Sequence, residues 1–270
     1  MSLLAENLVV TIGRRDLVAA ERFEALPGEI TAVVGPNGSG KTTLLRALAG
    51  DHKHAGRISL NGLDIATTPP ARLAAMRAVL PQSTTLTFPF TVHEVVSLGL
   101  SAGLSGLSQV ERADLPARAL ERVDLAGFSG RYVSELSGGE QQRVHLARVL
   151  CQVWLPVLDG RPRFLLLDEP ISSLDIRHQL LVMQIARDFA DAGGGVVAVL
   201  HDLNIASLFA DRIVGIARGK MAASGPPAEV VTSAFVDTLF DCPLEVGATP
   251  PPGIPFVLPA RRAAPSPARP

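Results

Sequence analysis

A glycine-rich loop constrains the fold of this chain more than any other segment. It has the pattern G-x-x-x-x-G-K-[ST] and lies between an apolar run, residues 30–34, and a segment that we predict to be a helix from Lys41. Small residues let consecutive backbone N–H groups surround phosphate oxygens, while Lys41 reaches the outer phosphates and Thr42 offers its hydroxyl to Mg²⁺. Because this motif requires a strand before it and a helix after it, the loop predicts a nucleotide-phosphate site in an α/β fold. The candidate binding residues are Gly35, Pro36, Asn37, Gly38, Ser39, Gly40, Lys41, Thr42 and Thr43.

A second segment has the composition of an anion-binding helix end. Ser137, Gly138 and Gly139 stand before Glu140 and an amphipathic run, residues 141–150, which we predict to be a helix. The N-terminus of a helix has free N–H donors and attracts anions, although taken alone a Ser-Gly-Gly sequence is usually an ordinary cap. In a chain that also carries the glycine-rich loop, we interpret this segment, including Glu140, as a second phosphate-binding element.

A third motif is a short apolar run that begins at Phe164 and ends in two acids, Asp168 and Glu169. Such a run is typical of a buried parallel strand. At the C-terminal end of that strand, Asp168 is placed to hold the hydration shell of Mg²⁺, and Glu169 to orient or deprotonate an attacking water. Two acids at a strand end can also be merely solvated. In a chain that also carries the glycine-rich loop, we interpret them as part of the same nucleotide site.

Together, these motifs resemble the nucleotide-binding subunit of an ABC transporter. The chain carries the glycine-rich loop, Leu136 to Glu140, Leu166 to Pro170, Ser173 to Asp175 and a late His201 in the family's order, and the resemblance extends from about Ser2 to Ala228. It implies an α/β fold of the P-loop NTPase class, with an ABC ATPase core, an N-terminal antiparallel β subdomain and a helical insertion subdomain. It also implies ATP and Mg²⁺ as cofactors and ATP hydrolysis as the reaction.

The resemblance also implies how the site is completed. In this family two subunits stack head to tail, so Ser137 to Gly139 of one copy would meet the γ-phosphate held by the loop of the other. Gln82 matches the glutamine that senses Mg²⁺ and the permease, Asp175 matches the aspartate of the D-loop, and His201 matches the histidine that contacts the γ-phosphate. A neutral imidazole can donate that hydrogen bond without carrying charge. The implied catalytic residues are Glu169, His201, Gln82 and Lys41, and the implied metal-site residues are Thr42, Gln82 and Asp168.

The chain departs from the family pattern where an aromatic residue usually stacks on adenine. Here the sequence has Thr11, Ile12 and Gly13. An isoleucine offers apolar contact without π-stacking, and that difference is worth about 1 kcal/mol. We therefore expect loose selectivity for the base. A second departure, Ile171 in place of the usual threonine, lies away from the phosphates and has little consequence.

Several segments indicate a subgroup within the family. Residues 79–83 and 86–92, an extended connection at residues 151–163 and the ending at residues 253–259 resemble those of the ATPase subunits of bacterial hemin importers. The predicted function is therefore to power hemin import, with iron-siderophore and cobalamin importers as close alternatives. The alternative of another class is a soluble ABC ATPase that does not transport. Such proteins usually carry tandem cassettes or long coiled coils, whereas this chain has one glycine-rich loop and no sustained heptads.

Composition limits the kinds of partner. The chain has 270 residues, 47% of them hydrophobic, which is enough for one large core. No apolar run approaches the roughly 18 residues of a membrane span, and the early acid Glu6 argues against a signal peptide. Twenty-five basic against 26 acidic residues leave a net charge of −1, so we expect no nucleic-acid partner. Membrane contact is therefore expected through a permease.

The expected partners are a second copy of the chain and a permease dimer, and indirectly a periplasmic haem-binding protein. The expected location is peripheral, on the cytoplasmic face of the bacterial inner membrane. The two cysteines, Cys151 and Cys242, lie far apart and in no metal-ligand spacing, as expected for a reducing cytoplasm.

We predict an ABC nucleotide-binding domain over residues 1–248, with the helical insertion over about 83–150. The last segment, residues 249–270, carries eight prolines. We expect it to add an edge strand up to Pro259 and to be disordered from about residue 260. Periodicity and turn signals predict helices at residues 92–100, 109–123, 176–192 and 204–210, and strands at residues 57–60 and 196–200.

Overall fold

The computed structural model describes residues 1–13, 15–84, 88–102 and 107–259. Within these residues the strands are β1 (Leu3–Ile12), β2 (Arg15–Ala25), β3 (Ile30–Val34), β4 (Ala55–Leu60), β5 (Leu63–Asp64), β6 (Arg77–Leu80), β7 (Val157–Leu158), β8 (Arg161–Pro162), β9 (Phe164–Asp168), β10 (Gly195–Val199), β11 (Arg212–Ala217) and β12 (Lys220–Gly225). The α-helices are α1 (Lys41–Ala49), α2 (Pro70–Met76), α3 (Val92–Ala102), α4 (Gln109–Arg122), α5 (Gly138–Gln152), α6 (Ile176–Asp191), α7 (Leu203–Phe209), α8 (Pro227–Val230) and α9 (Ser233–Phe240). A 3₁₀ turn, Val133–Glu135, lies just before α5.

Ten of these strands form one sheet in the order β5-β4-β1-β2-β12-β11-β3-β10-β9-β6. The five strands from β11 to β6 are parallel to one another. At the other end, β1 pairs antiparallel with β2 and β4, and β4 pairs antiparallel with β5. The two parts meet between β2 and β12, where the register joins Ala19 to Lys220. The predicted N-terminal antiparallel β subdomain is thus a continuation of the parallel sheet.

The central strand β3 is buried on both of its faces. Ile30, Ala32 and Val34 pack into a large apolar cluster that includes residues of α3 to α7. Val33 points to the opposite face and packs with α1 and the antiparallel strands. A strand covered on both sides needs apolar residues throughout, which explains the unbroken apolar run in the sequence.

Strands β3, β10 and β9 are neighbours and run parallel. Their C-terminal ends therefore lie side by side at one edge of the sheet. The glycine-rich loop follows β3, Glu169 follows β9, and His201 lies two residues beyond β10. Sheets of this kind bind ligands at that edge.

The helical insertion is built from α3, α4 and α5, whose apolar residues recur at helical spacing and are buried in the large cluster. Helix α5 begins at Gly138 with Ser137 as its N-cap, so the Ser137 to Gly139 segment is a helix N-terminus as we interpreted it, and the helix starts about one turn before the amphipathic run at residue 141. The physical reason is a capping box. The backbone N–H and hydroxyl of Ser137 donate to Glu140 Oε2, which brings Gly138 and Gly139 into the first helical turn.

The extended connection after α5, residues 151–163, contains a hairpin of β7 with β8, which we did not predict. Trp154 precedes this hairpin and lies beneath two guanidinium groups of α4. Arg118 Cζ is 5.1 Å and Arg122 Cζ 5.7 Å from the centre of the Trp154 ring. These cation–π contacts attach the connection to the helical insertion.

The predicted edge strand near the C-terminus was wrong. Residues 249–259 pair with no strand in the described part of the chain. Pro250, Pro251 and Pro252 have no backbone N–H and cannot donate to a ladder. The predicted disorder from residue 260 falls outside the described residues. Within the described ranges, no helix is both long enough and apolar enough to span a bilayer.

Candidate functional site

The glycine-rich loop, between β3 and α1, opens onto a cavity of about 750 Å³. The loop, the end of β9 and the end of β10 each contribute to its walls, as the sheet topology requires. Its lining residues are Leu17, Asn37, Gly38, Gly40, Lys41, Thr42, Thr43, Gln82, Glu169 and His201.

Close packing explains two of the glycines in the loop. Gly40 is the N-cap of α1 and has a φ of 105°, in the region that favours glycine. A Cβ there would lie 2.7 Å from Val18 Cγ2 and 2.8 Å from the carbonyl oxygen of Leu17. A Cβ at Gly35 would overlap the carbonyl oxygen of Ile216. The loop therefore packs directly against neighbouring strands.

Lys41 lies at the start of α1 and is 5% exposed. Its Nζ donates to the carbonyl oxygens of Gly35 and Pro36, each at 2.9 Å. Burial lowers the pKa of Lys41, and the nearby Glu169 and Asp168 oppose that shift. The side chain thus brings a cation to the centre of the loop.

Asp168 is buried at the end of β9 and contacts the glycine-rich segment directly. Its Oδ1 accepts a hydrogen bond of 2.9 Å from Thr42 Oγ1. Burial raises the pKa of Asp168 above its usual value, and the Thr42 hydrogen bond opposes the rise. Thr42 and Gln82 line the cavity, and the Asp168 carboxylate lies behind Thr42, so their oxygens are of the kind that suits Mg²⁺.

In the described part of the chain, no cluster of three or more His, Cys, Asp or Glu could hold a metal ion on its own. Mg²⁺ usually keeps several waters and is bound through one or two carboxylates together with substrate phosphates. The residue set at Thr42 and Asp168 fits that mode of binding.

Glu169 and His201 meet across the cavity. His201 Nε2 lies 2.7 Å from Glu169 Oε1, and the Glu169 side chain is 14% exposed. Glu169 also has a φ of 51°, in the left-handed region that a residue with a Cβ rarely adopts. The sequence predicted both residues at the site, but it did not predict their direct contact.

The second predicted phosphate-binding element lies elsewhere in the chain. Of the described residues, Ser137, Gly139, Glu140 and Asp175 do not line the main cavity, and Gly138 lines a smaller one together with Gln82. The Ser137 hydrogen bonds to Glu140 lower the pKa of that carboxyl.

Asp175 is the N-cap of α6, and its Oδ1 accepts from the backbone N–H of His178 at 2.9 Å. Nδ1 of the same histidine lies 2.9 Å from either Asp175 oxygen. One chain therefore brings together the glycine-rich loop, Asp168, Glu169, Gln82 and His201, but not the Ser137 segment.

Two residues at the site were missed in the sequence. Leu17 of β2 lines the cavity, whereas Ile12, which we placed near the base, is half exposed and is not among the lining residues that the structure describes. Gln142 of α5 donates from Nε2 to the carbonyl oxygen of Glu169 at 2.9 Å. Gln142 lies at the end of the Ser-Gly-Gly motif, but no local pattern predicts its contact with Glu169 or the position of Leu17, because both depend on the packing of distant segments.

The fold and the site together define a P-loop NTPase. Within that class, the ABC transporter family model matches residues 20–172. A curated relative, the hemin import ATP-binding protein HmuV of Mesorhizobium japonicum, is 60% identical over 255 residues, which cover 94% of this chain and 97% of the relative. The chain belongs to the ABC transporter family.

Solved structures share this fold. The ATP-binding subunit of an ABC transporter superposes with a TM-score of 0.75 at 22% identity, covering 92% of this chain and 96% of the other. A dimeric ATP-binding cassette in a post-hydrolysis state, bound to ADP and Pi, has a TM-score of 0.71 at 25% identity and covers 84% and 99%. The predicted fold class and the predicted family resemblance are both confirmed.

Proposed function

We propose that this chain is the ATP-hydrolysing subunit of a bacterial hemin importer. The observation that carries the proposal is the convergence of Lys41, Thr42, Glu169 and His201 on one cavity. A cation and a hydroxyl at a glycine-rich loop can bind nucleotide phosphates, and a carboxylate and an imidazole beside them can direct a water to the terminal phosphate.

Each group has a distinct role in hydrolysis. Backbone N–H groups of the loop and Lys41 bind the phosphates, and Lys41 exchanges its hydrogen bonds to the Gly35 and Pro36 carbonyls for phosphate oxygens. Thr42, Gln82 and Asp168 would hold Mg²⁺, which would supply positive charge to stabilise the phosphate oxygens. Glu169 orients the attacking water and accepts its proton.

His201 acts beside Glu169. Its Nε2 is close enough to restrain the Glu169 carboxylate, and the same ring can donate to the γ-phosphate when the nucleotide is bound. Gln82 lines both the main cavity and the smaller cavity next to α5, so it is the residue through which the nucleotide site communicates with the helical insertion.

The working unit is a dimer of this chain. The Ser137 to Gly139 end of α5 does not line the cavity of its own chain, yet it has the form of an anion-binding helix end. In a head-to-tail pair this end and Asp175 would reach the nucleotide held by the loop of the other copy. The likeness to a cassette that was solved as a dimer with ADP and Pi supports this arrangement.

The dimer would drive a permease dimer from the cytoplasmic face of the inner membrane, with ATP closing the two copies and hydrolysis releasing them. The segment from Gln82 through α3 to α5 is the proposed lever, because it joins the nucleotide site to the surface of the helical insertion. A net charge of −1 argues against a nucleic-acid partner. A periplasmic haem-binding protein would act on this subunit only through the permease.

Hemin is the proposed cargo because the Mesorhizobium relative, at 60% identity over nearly the full length, is named for hemin import. In membranes that contain the cognate permease, ATP hydrolysis should rise with haem-loaded binding protein and should not rise with cobalamin-loaded or siderophore-loaded equivalents. Phosphate release is the measurement, and the Lys41→Ala chain is the control for background. Stimulation by cobalamin-loaded or siderophore-loaded binding protein would leave the proposed ATPase function standing but would contradict hemin as the cargo.

The base pocket gives a second test. Leu17 is an apolar lining residue, and the part of the cavity wall that the structure describes contains no Phe, Tyr or Trp. GTP should therefore be hydrolysed within roughly tenfold of ATP in kcat/KM, or about 1.4 kcal/mol of discrimination. Leu17→Ala should weaken the binding of ATP and of GTP to the same extent. A much larger preference for ATP would show that another residue recognises the base.

A further inference from the structure

The carbonyl oxygen of Glu169 accepts hydrogen bonds from two residues. Ser172, in the same loop, donates its hydroxyl at 3.1 Å and its backbone N–H at 3.3 Å. Gln142 donates its Nε2 at 2.9 Å from α5, a separate element of the fold. Gln142 thus links α5 to the backbone of Glu169 by a hydrogen bond.

The backbone of Glu169 needs such a restraint. Its φ of 51° places it in the left-handed region, which is unfavourable for a residue with a Cβ and persists only where neighbouring contacts hold it. The direction of the Glu169 side chain depends on this backbone conformation. If the carbonyl were released, the carboxylate would move relative to His201 and to the loop.

The amide of Gln142 can make this contact in one orientation only. Its NH₂ group faces a carbonyl oxygen, and a flipped amide would set two acceptors against each other. Its Oε1 is then buried without a protein partner in the described part of the chain, as is Nδ1 of His145, one helical turn further on. Burial lowers the pKa of His145 to about 4, so its ring is neutral near pH 7.

Gln142 and His145 both line a cavity of about 170 Å³ that Gln82 also lines. This cavity is lined mainly by polar and small residues and is large enough for several water molecules. Gln142 therefore stands between Glu169 on one side and a polar space shared with Gln82 on the other.

We propose that Gln142 is a positioning residue for hydrolysis, which holds the carbonyl of Glu169 so that its carboxylate faces the attacking water. This inference rests on the proposed role of Glu169 as the residue that directs that water. Gln142 does not line the main cavity as the structure describes it, so its effect is on turnover and not on nucleotide binding.

Gln142→Met tests the inference, because methionine has a similar length, fits irregular space and cannot donate. Loss of this hydrogen bond to the Glu169 carbonyl should lower kcat for ATP about tenfold, with KM within about twofold of the unaltered chain. The matched control is Gln152→Met. Gln152 also lies on α5 and donates from Nε2 to two backbone carbonyls, those of Ala74 and Arg77, away from the site. The control should keep kcat within about twofold.

A second measurement separates positioning from damage to the N-terminal end of α5. ATP-driven dimer formation, measured by gel filtration in a Glu169→Gln background, should be the same with and without Gln142→Met. An unchanged kcat in Gln142→Met, an equal loss in Gln152→Met, or loss of ATP-driven dimers would each overturn the inference. Absence of ATP hydrolysis by the unaltered chain would instead refute the proposed function.

Discussion

Replacing Glu169 with glutamine is expected to lower ATP turnover by about 10²- to 10⁴-fold and to leave ATP binding intact. The substitution keeps the size of the side chain and its contact with His201, but an amide cannot accept the proton of the attacking water. Lys41, Thr42 and Asp168 are untouched, so the phosphates and Mg²⁺ should still bind. Phosphate release and the Kd for ATP are the two measurements.

The same variant should accumulate as an ATP-bound dimer. ATP binding closes the two copies before hydrolysis, and without hydrolysis the two copies do not separate. Gel filtration with ATP and Mg²⁺ would detect it. Glu111→Gln is a matched control. Glu111 belongs to the capping box of α4 and does not line the described part of the main cavity, and glutamine can replace glutamate in a capping box. Near-normal phosphate release by Glu169→Gln would remove Glu169 from the role of general base.

Much of the site could be predicted because it depends on local sequence. The predicted strand at residues 30–34 and helix start at Lys41 match β3 and α1, and the apolar run from Phe164 matches β9. A glycine-rich turn between a buried strand and a helix is encoded within about a dozen residues, so no distant contact is needed to recognise it. The residues that follow three parallel strands then converge because of the sheet topology.

The helix end at Ser137 was predicted, but the first turn of α5 lies before the amphipathic run from which we predicted the helix. Ser137 and Glu140 have the spacing of a capping box, and two glycines after the serine obscured it because glycine is a poor helix former. In the structure the reciprocal hydrogen bonds between Ser137 and Glu140 outweigh that low propensity.

Contacts between distant segments could not be predicted from the sequence. Leu17 reaches the cavity because β2 packs its backbone against Gly40, and Gln142 reaches Glu169 because α5 packs beside the end of β9. The Ser-Gly-Gly motif beside Gln142 does not predict its contact with Glu169, and no pattern near Leu17 predicts its position at the cavity. The hairpin of β7 and β8 was also missed, since strands of two residues carry too little periodicity to detect.

The central claim is that each hydrolytic site is shared between two copies of the chain. Lys41→Ala removes the phosphate-binding cation from one half of a site, and Ser137→Arg blocks the helix end that forms the other half. Either variant alone carries the same defect in both sites of its homodimer and should be inactive. A heterodimer of the two variants combines both defects in one site and leaves the other site intact.

Phosphate release by an equal mixture of the two variants is therefore the most direct measurement. Because random pairing makes half of the dimers mixed, and each mixed dimer has one intact site, activity should return to about a quarter of that of the unaltered chain. Each variant measured alone under the same conditions, at the same total concentration, supplies the baseline. Recovery in the mixture is the result that the shared site predicts. A mixture as inactive as its parts, or full activity of Ser137→Arg alone, would contradict it.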